Sequence, residues 1–289
     1  MRESGMTLAP ALLERVLSKL GFSARPEPTW ESLKAIYGAW CQKVPFDNVR
    51  KLIHLRRGDA GALPGDTADD FFAAWLLHGT GGTCWAGNGA LQVLLNSLDF
   101  AAHRGLATML VAANVPPNHG TVIVELERRR YVVDAAILHG EPLPLEEDAA
   151  TRVAHAAWGV ICAMDAGQWR IRWRPLHAID GLECRIEQLQ VAASSFHEWH
   201  ERSRPWSPFN YALYARRNRG TAVLGTAFGQ RIEFDATGGV VQRGMPAGQR
   251  APFLVEELGM DEALIAQLPA DLATPAPPQS AAARRQRRI

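Results

Sequence analysis

The hydrophobic period of this chain changes once, near residue 100, and that change narrows the folds open to it more than any other feature. Before it, apolar residues recur at helical spacing: Leu8, Leu12, Leu13, Val16 and Leu20, stopped by Gly21, then Trp30, Leu33, Ile36, Tyr37 and Trp40. An irregular stretch from Val44 to Pro64, a short helical piece from Asp69 to Leu77 and a strong repeat through Leu91, Leu94, Leu95 and Leu98 complete this part. From Ala101 the pattern becomes that of strands, at Arg104 to Ala112, Thr121 to Leu126, Tyr131 to Ile137, Gly159 to Met164 and Trp169 to Trp173. A short polar helix around Glu187 to Ser195 and a linker at Ser203 to Pro208 lead into a last alternating region. That region, at Tyr211 to Ala215, Ala222 to Phe228 and Arg231 to Phe234, ends in a helix near Asp261 to Gln267. Helices followed by runs of antiparallel strands predict an α+β fold.

The expected units are residues 1–100, helical; 101–202, β; 203–268, mixed; and a basic tail, 269–289. The tail is rich in Pro, Ala and Arg, with Arg284, Arg285, Arg287 and Arg288 clustered near its end, and is expected to be disordered. With 289 residues there is material for two or three compact units. A formal net charge of +1 gives no global field to draw nucleic acid or a membrane surface. Cysteines stand at 41, 84, 162 and 184, with no C-x-x-C pair, which argues against a structural zinc and against a disulfide framework. Neither a signal core nor a stretch of about 18 apolar residues is present. A reduced, soluble cytoplasmic protein with no metal and no tightly bound cofactor is the expectation.

Chemistry concentrates at three positions. Gly81, Gly82 and Thr83 break the chain just before Cys84, which opens a helical segment. A cysteine attacks as its thiolate, and the partial positive charge of a helix N-terminus favours that form. The glycines leave room for an acyl thioester to approach the backbone. His119 begins one strand and Asp134 lies on the next. If the connection around Glu127 to Arg130 has an even number of loop residues, both project from one sheet face, within hydrogen-bond reach. That face carries His119, Thr121 and Ile123 with Val132, Asp134 and Ala136; the other carries Val122, Val124, Leu126, Tyr131 and Val133, a core surface. A carboxylate beside an imidazole sets its tautomer and stabilises its cation, freeing the other ring nitrogen to take a proton from Cys84.

These residues resemble those of the arylamine N-acetyltransferases, within the wider papain- and transglutaminase-like group. Val44 to Val49, with Pro45-Phe46-Asp47-Asn48 at its centre, is similar to the family's "PFEN" segment. Gly81 to Trp85 is similar to its "RGGYCF" nucleophile motif, and Asn118-His119 through Val133-Asp134 to its His strand and "VDVGFG". Ser207-Pro208-Phe209 and Phe253 to Met260 resemble later signatures. The resemblance implies an N-terminal helical bundle, an antiparallel β-barrel-like domain and a C-terminal α/β lid, with Cys84, His119 and Asp134 as catalytic triad. It further implies that Cys84 takes an acyl group from acetyl-CoA or another acyl thioester as co-substrate and passes it to an amine, hydroxylamine or hydrazine. Phe46, Trp85, Ile137 and Phe209 are then expected to line the substrates.

Several positions depart from the family pattern. Thr80 stands for the Arg before the paired glycines, Thr83 for an aromatic, Gly87 for the Leu before Asn88, and Trp40 for a His. After Asp134 the run is Ala135-Ala136-Ile137-Leu138, and an aliphatic Ile137 points away from a flat arylamine acceptor. Two relatives share the triad and remain as alternatives: an amide synthase drawing a long acyl chain from an acyl carrier protein, and a transglutaminase-like enzyme.

Overall fold

The computed structural model describes residues 7–112 and 114–277; the Arg284 to Arg288 cluster lies outside them. Five helices come first: α1 (Pro10–Leu20), α2 (Trp30–Lys43), α3 (Val49–Arg57), α4 (Ala68–His78) and α5 (Cys84–Ser97). Their ends follow from local chemistry. Thr29 and Thr67 accept from backbone N–H groups three residues on, capping α2 and α4, and Gly21, Gly58 and Gly79 close α1, α3 and α4 in the left-handed conformation. The stretch expected to be irregular, 44–64, thus contains α3. It also holds a two-residue strand, β1 (Phe46–Asp47).

Eight antiparallel strands follow: β2 (Ala101–Met109), β3 (His119–Leu126), β4 (Arg129–Val133), β5 (Leu143–Pro144), β6 (Thr151–Val153), β7 (Val160–Asp165), β8 (Gln168–Trp173) and β9 (Leu182–Gln188). Their spatial order is β5-β4-β3-β2-β9-β8-β7-β6, and the sheet curls until β5 and β6 lie side by side, a nearly closed barrel. Residues 182–188 form a strand that takes in Glu187 and Gln188, the start of the polar helix expected at Glu187 to Ser195. Pairing to both β2 and β8 decides this, and the helix, α6 (Ala193–Arg202), starts six residues later.

The last unit is a five-stranded sheet in the order β1-β10-β11-β12-β13, from β10 (Tyr214–Arg219), β11 (Ala222–Ala227), β12 (Gln230–Phe234) and β13 (Val240–Gly244). It is followed by α7 (Ala247–Pro252), a π-turn (Phe253–Glu257) and α8 (Glu262–Ile265). Its edge strand β1 comes from the N-terminal part, so the first and last units share a sheet. Disorder from Pro269 was expected, yet the described part of that tail is tied down: Leu272 donates to the Tyr211 carbonyl, and Asp271 accepts from Leu213 and pairs with Arg250.

Three apolar clusters result. The largest joins the helices to the outer face of β3 and β4 through Val122, Val124, Tyr131 and Val133. The second fills the barrel with Ala107, Ile123, Val132 and Ile137 among others, and the third lies between α3, the C-terminal sheet and the chain after Pro252. The β3–β4 sheet is therefore buried on both faces. The overall architecture is α+β: N-terminal helices, a nearly closed antiparallel barrel and a C-terminal sheet with helices.

Candidate active site

The nucleophile turn is built by docking two sequence segments. Phe46 bridges to Gly82, Asp47 N–H donates to the Gly82 carbonyl, and Gly81 N–H donates to Asp47 Oδ2 at 2.6 Å. A Cβ at Gly81 would overlap the Pro45 carbonyl oxygen, and one at Gly82 would press on Ala86 and Phe71. Gly81 is thus demanded by the approach of the Pro45 backbone and Gly82 by the Ala86 and Phe71 side chains, reasons different from the acyl access read from the sequence. Thr80 is fully buried and carries no charge to offset Asp47. Burial pushes the Asp47 carboxyl up to about 6 against the pull of the two backbone N–H groups and Arg50. Cys84 follows as the first residue of α5, and no side chain caps that helix.

The two partners of Cys84 come from a hairpin. β3 and β4 are joined by two residues, Glu127 and Arg128, both at positive φ, so the loop is even and His119 and Asp134 share a face. β4 ends at Val133, earlier than the Ile137 expected. Asp134 itself turns the chain, its Oδ1 accepting from Ala136 N (2.8 Å) and Ile137 N (3.0 Å). His119 Nε2 meets Asp134 Oδ2 at 2.7 Å, and Cys84 adds to what holds the His119 ring protonated. With Nε2 on the carboxylate, Nδ1 is the nitrogen left for the thiol. Cys84, His119 and Asp134 are 7 %, 2 % and 0 % exposed.

Burial alone would raise Asp134, but His119 and the two backbone donors hold its carboxyl well below the usual carboxylate range. Burial likewise opposes the His119 cation. The Asp134 charge and hydrogen bond, with a smaller part from Cys84, override it and hold the imidazole well above its ordinary value. The pair is thus a carboxylate and an imidazolium kept charged in a dry site. Elsewhere burial pushes the Cys41 and Cys162 thiols up to about 12 and Cys184 far up, leaving them protonated.

Two residues absent from the expected site hold Asp134. Asn88 donates to the Gly120 carbonyl (2.6 Å), accepts from Ala135 N (2.9 Å) and reaches Asp134 Oδ1 at 3.4 Å. Its place four residues after Cys84, on the same face of α5, is the signal that could have found it. The Tyr37 hydroxyl donates to the Asp134 carbonyl (2.9 Å) and accepts from Asp134 N (3.1 Å) and His139 N (3.2 Å); nothing local in the sequence marks it. The expected substrate-lining set is divided. Phe46 and Phe209 meet edge to face at 5.3 Å. Trp85 is instead taken up by Phe196 (5.1 Å) and Trp199 (6.4 Å), and Ile137 by the barrel interior, because α6 and the barrel core cover them. Among the described residues no group of three His, Cys, Asp or Glu is placed to hold a metal, and no helix is long and apolar enough to cross a membrane.

A sequence profile of the N-acetyltransferase family matches residues 29–212, more than half of the chain. An arylamine N-acetyltransferase of Mycolicibacterium smegmatis is 25 % identical over 249 residues, covering 78 % of this chain and 86 % of that protein. Among solved structures, the arylamine N-acetyltransferase of Salmonella typhimurium superposes with a TM-score of 0.72 at 20 % identity, over 90 % of this chain and 98 % of that one. That of Mycobacterium marinum, solved in complex with CoA, gives 0.75 at 16 % identity, over 88 % and 97 %. The chain belongs to the arylamine N-acetyltransferase family, as a distant member.

Proposed function

We propose that this protein moves an acyl group, acetyl in the simplest case, from a CoA thioester to an amine, hydroxylamine or hydrazine through an acyl-enzyme on Cys84. The observation that carries this reading is the buried line from Cys84 through His119 to Asp134, whose carboxylate accepts from Ala136 N, Ile137 N and Asn88 Nδ2 and whose main-chain carbonyl accepts from the Tyr37 hydroxyl. The CoA bound to the Mycobacterium marinum relative supports the choice of donor.

In this reading Cys84 Sγ attacks the thioester carbonyl as the thiolate, with His119 already protonated. The carbon–sulfur bond to CoA breaks, and the departing thiolate takes the imidazolium proton. The acceptor nitrogen then attacks the new thioester and gives its proton to the neutral imidazole, and Sγ leaves as thiolate. Asp134 takes up no proton in either step and stabilises the cation in both. The first N–H groups of α5, uncapped by any side chain, are the donors for the oxyanion that forms on the carbonyl.

Replacing Cys84 by Ala tests the reading. Mixing wild-type protein with acetyl-CoA should give one covalent acetyl group by intact mass, discharged on adding a hydrazine. The Ala variant should melt within a few degrees of wild type, carry no acetyl group and show no turnover. Turnover near the wild-type rate would remove Cys84 as the nucleophile.

A further inference from the structure

One residue holds the nucleophile turn from both sides. Asp47 N–H donates to the Gly82 carbonyl (3.2 Å), and Asp47 Oδ2 accepts from Gly81 N (2.6 Å). Its other oxygen, Oδ1, accepts from the N–H of Val49 (3.0 Å), the first residue of α3. Both carboxylate oxygens are thus acceptors, one for the turn and one for the helix behind it. Cys84 comes two residues after Gly82 and begins α5. The orientation of the Gly81 and Gly82 peptides therefore sets the direction in which that helix starts and its first N–H groups point.

Asp47 is 1 % exposed, and the neighbouring strand β10 sets Ala215 opposite it. The charged groups on the elements around it are engaged elsewhere. On α3, Arg50 makes a bidentate pair with Asp70 of α4 (2.8 and 3.1 Å), Lys51 donates to Ser203 Oγ, and His54 accepts from Arg204. On β10, Arg216 donates to the Arg174 carbonyl (3.3 Å) and lies over the Trp173 ring. Cys84 of α5 faces His119. Thr80, beside the clamp, is uncharged, and its buried Oγ1 makes no hydrogen bond. The Arg50 charge favours the Asp47 carboxylate from a distance, by less than burial disfavours it.

The two states of this carboxyl act differently on the turn. Ionised, it offers a strong acceptor to each N–H. Protonated, one oxygen carries a hydrogen and accepts poorly, so the clamp weakens at Gly81 or at Val49. Resting on the acyl-transfer reading above, we propose that Asp47 is a positioning residue for acyl transfer: its carboxylate keeps the first N–H groups of α5 aimed at the thioester oxyanion, and its protonation sets the lower pH limit of acylation. The bond changes are those already given, and Asp47 exchanges no proton with either substrate. Burial holds Asp47 up at about 6, above the ordinary carboxylate value. The stability gained by protonating it is therefore complete below about 3.9 and is lost as pH rises through about 6. Keeping the charge at neutral pH costs the fold stability, which sets Asp47 apart from a residue that serves packing alone.

The experiment follows acylation by acetyl-CoA, by rapid quench and intact mass, from about pH 4.5 to about pH 8.5. It compares wild type, Asp47→Asn and Arg50→Gln, with alkylation of Cys84 by iodoacetamide measured alongside. Alkylation needs the thiol and its imidazolium partner but no oxyanion donor. In wild type, acylation should fall by about tenfold per pH unit below its limit, while alkylation falls much less. Asn does not titrate and turns an NH2 toward one N–H. Its acylation should be roughly tenfold to a hundredfold slower than wild type near pH 8 and should lack the acid limit. Arg50→Gln leaves the clamp in place and removes the cation that favours the carboxylate, so the limit should move up by roughly half a pH unit. The direction of that shift decides the matter whether or not the Asn variant folds. An Asn variant with the wild-type rate or the wild-type limit overturns the proposal, as does an Arg50→Gln limit that stays or moves down. Alkylation that falls together with acylation in wild type gives the limit to the thiol and overturns it as well. Wild type that takes no acetyl group at any pH overturns the acyl-transfer reading with it.

Discussion

Asp134→Asn is the substitution whose outcome the structure determines in most detail. The amide has the shape of the carboxylate, but its two ends differ, and the surroundings choose between them. Oδ1 of Asp134 accepts from Ala136 N at 2.8 Å and Ile137 N at 3.0 Å, with Asn88 Nδ2 at 3.4 Å. Donors on that side fix the amide oxygen there, so the amide NH2 takes the place of Oδ2, 2.7 Å from His119 Nε2. Nε2 must then accept instead of donate, which moves the ring proton to Nδ1, the nitrogen that faces Cys84. A nitrogen already protonated takes no proton from the thiol. Loss of the same contact in a serine-protease triad costs about ten-thousandfold in kcat. Acyl-enzyme formation should accordingly fall roughly a thousandfold to ten-thousandfold, or about 4–5.5 kcal/mol in the barrier.

The pH profile supplies a second readout. The folded protein holds His119 above its ordinary value, so the stability it contributes is complete below about 6.5 and is lost as pH rises through the folded value. Asp134 contributes in the opposite sense, above about 3.9, and that part is lost as pH falls through its depressed folded value. Melting followed by circular dichroism from about pH 1.5 to about pH 10.5, which reaches into both windows, should show both slopes in wild type and neither in the Asn variant. Acylation by rapid quench and intact mass measures the rate. An Asn variant with normal acylation, or with the wild-type pH slopes intact, would refute the assignment of Asp134 as the partner of His119.

The remaining predictions concern the nucleophile and its turn. Iodoacetamide near neutral pH should modify the native protein at Cys84 alone, since burial keeps Cys41, Cys162 and Cys184 protonated, and at four sites after unfolding; peptide mapping reads both. Modification of Cys41 or Cys184 in the native state at a comparable rate would contradict the packing described. Gly81→Ala should destabilise by about 2–4 kcal/mol, because its Cβ meets the rigid Pro45 carbonyl and displaces the Asp47 contact. Gly61→Ala, with nothing near its Cβ, should be close to neutral in the same denaturant titration.

Much of this was legible in the sequence because it is local. The switch of period near residue 100 reflects whether side chains repeat every three to four residues or alternate, and that depends on the chain's own geometry. The shared face of His119 and Asp134 follows from the same parity once two residues, Glu127 and Arg128, close the hairpin. A cysteine at the start of a helix, after paired glycines, is equally a local fact. What the tertiary structure decided is what depends on distant partners. Glu187 and Gln188 look like the start of a polar helix, yet pairing of this segment with β2 makes them the end of β9, since a paired backbone outweighs weak side-chain preference. Gly81 answers to a carbonyl thirty-six residues earlier, at Pro45, that no pattern within the motif reveals. Trp85 follows Cys84 directly and Ile137 comes three residues after Asp134, but they pack against α6 and in the barrel core, because closeness along the chain does not say which way a buried side chain packs. Asn88 and Tyr37 gain their roles only when the helices close on the barrel, burying polar groups that must then find partners in whatever lies across the interface.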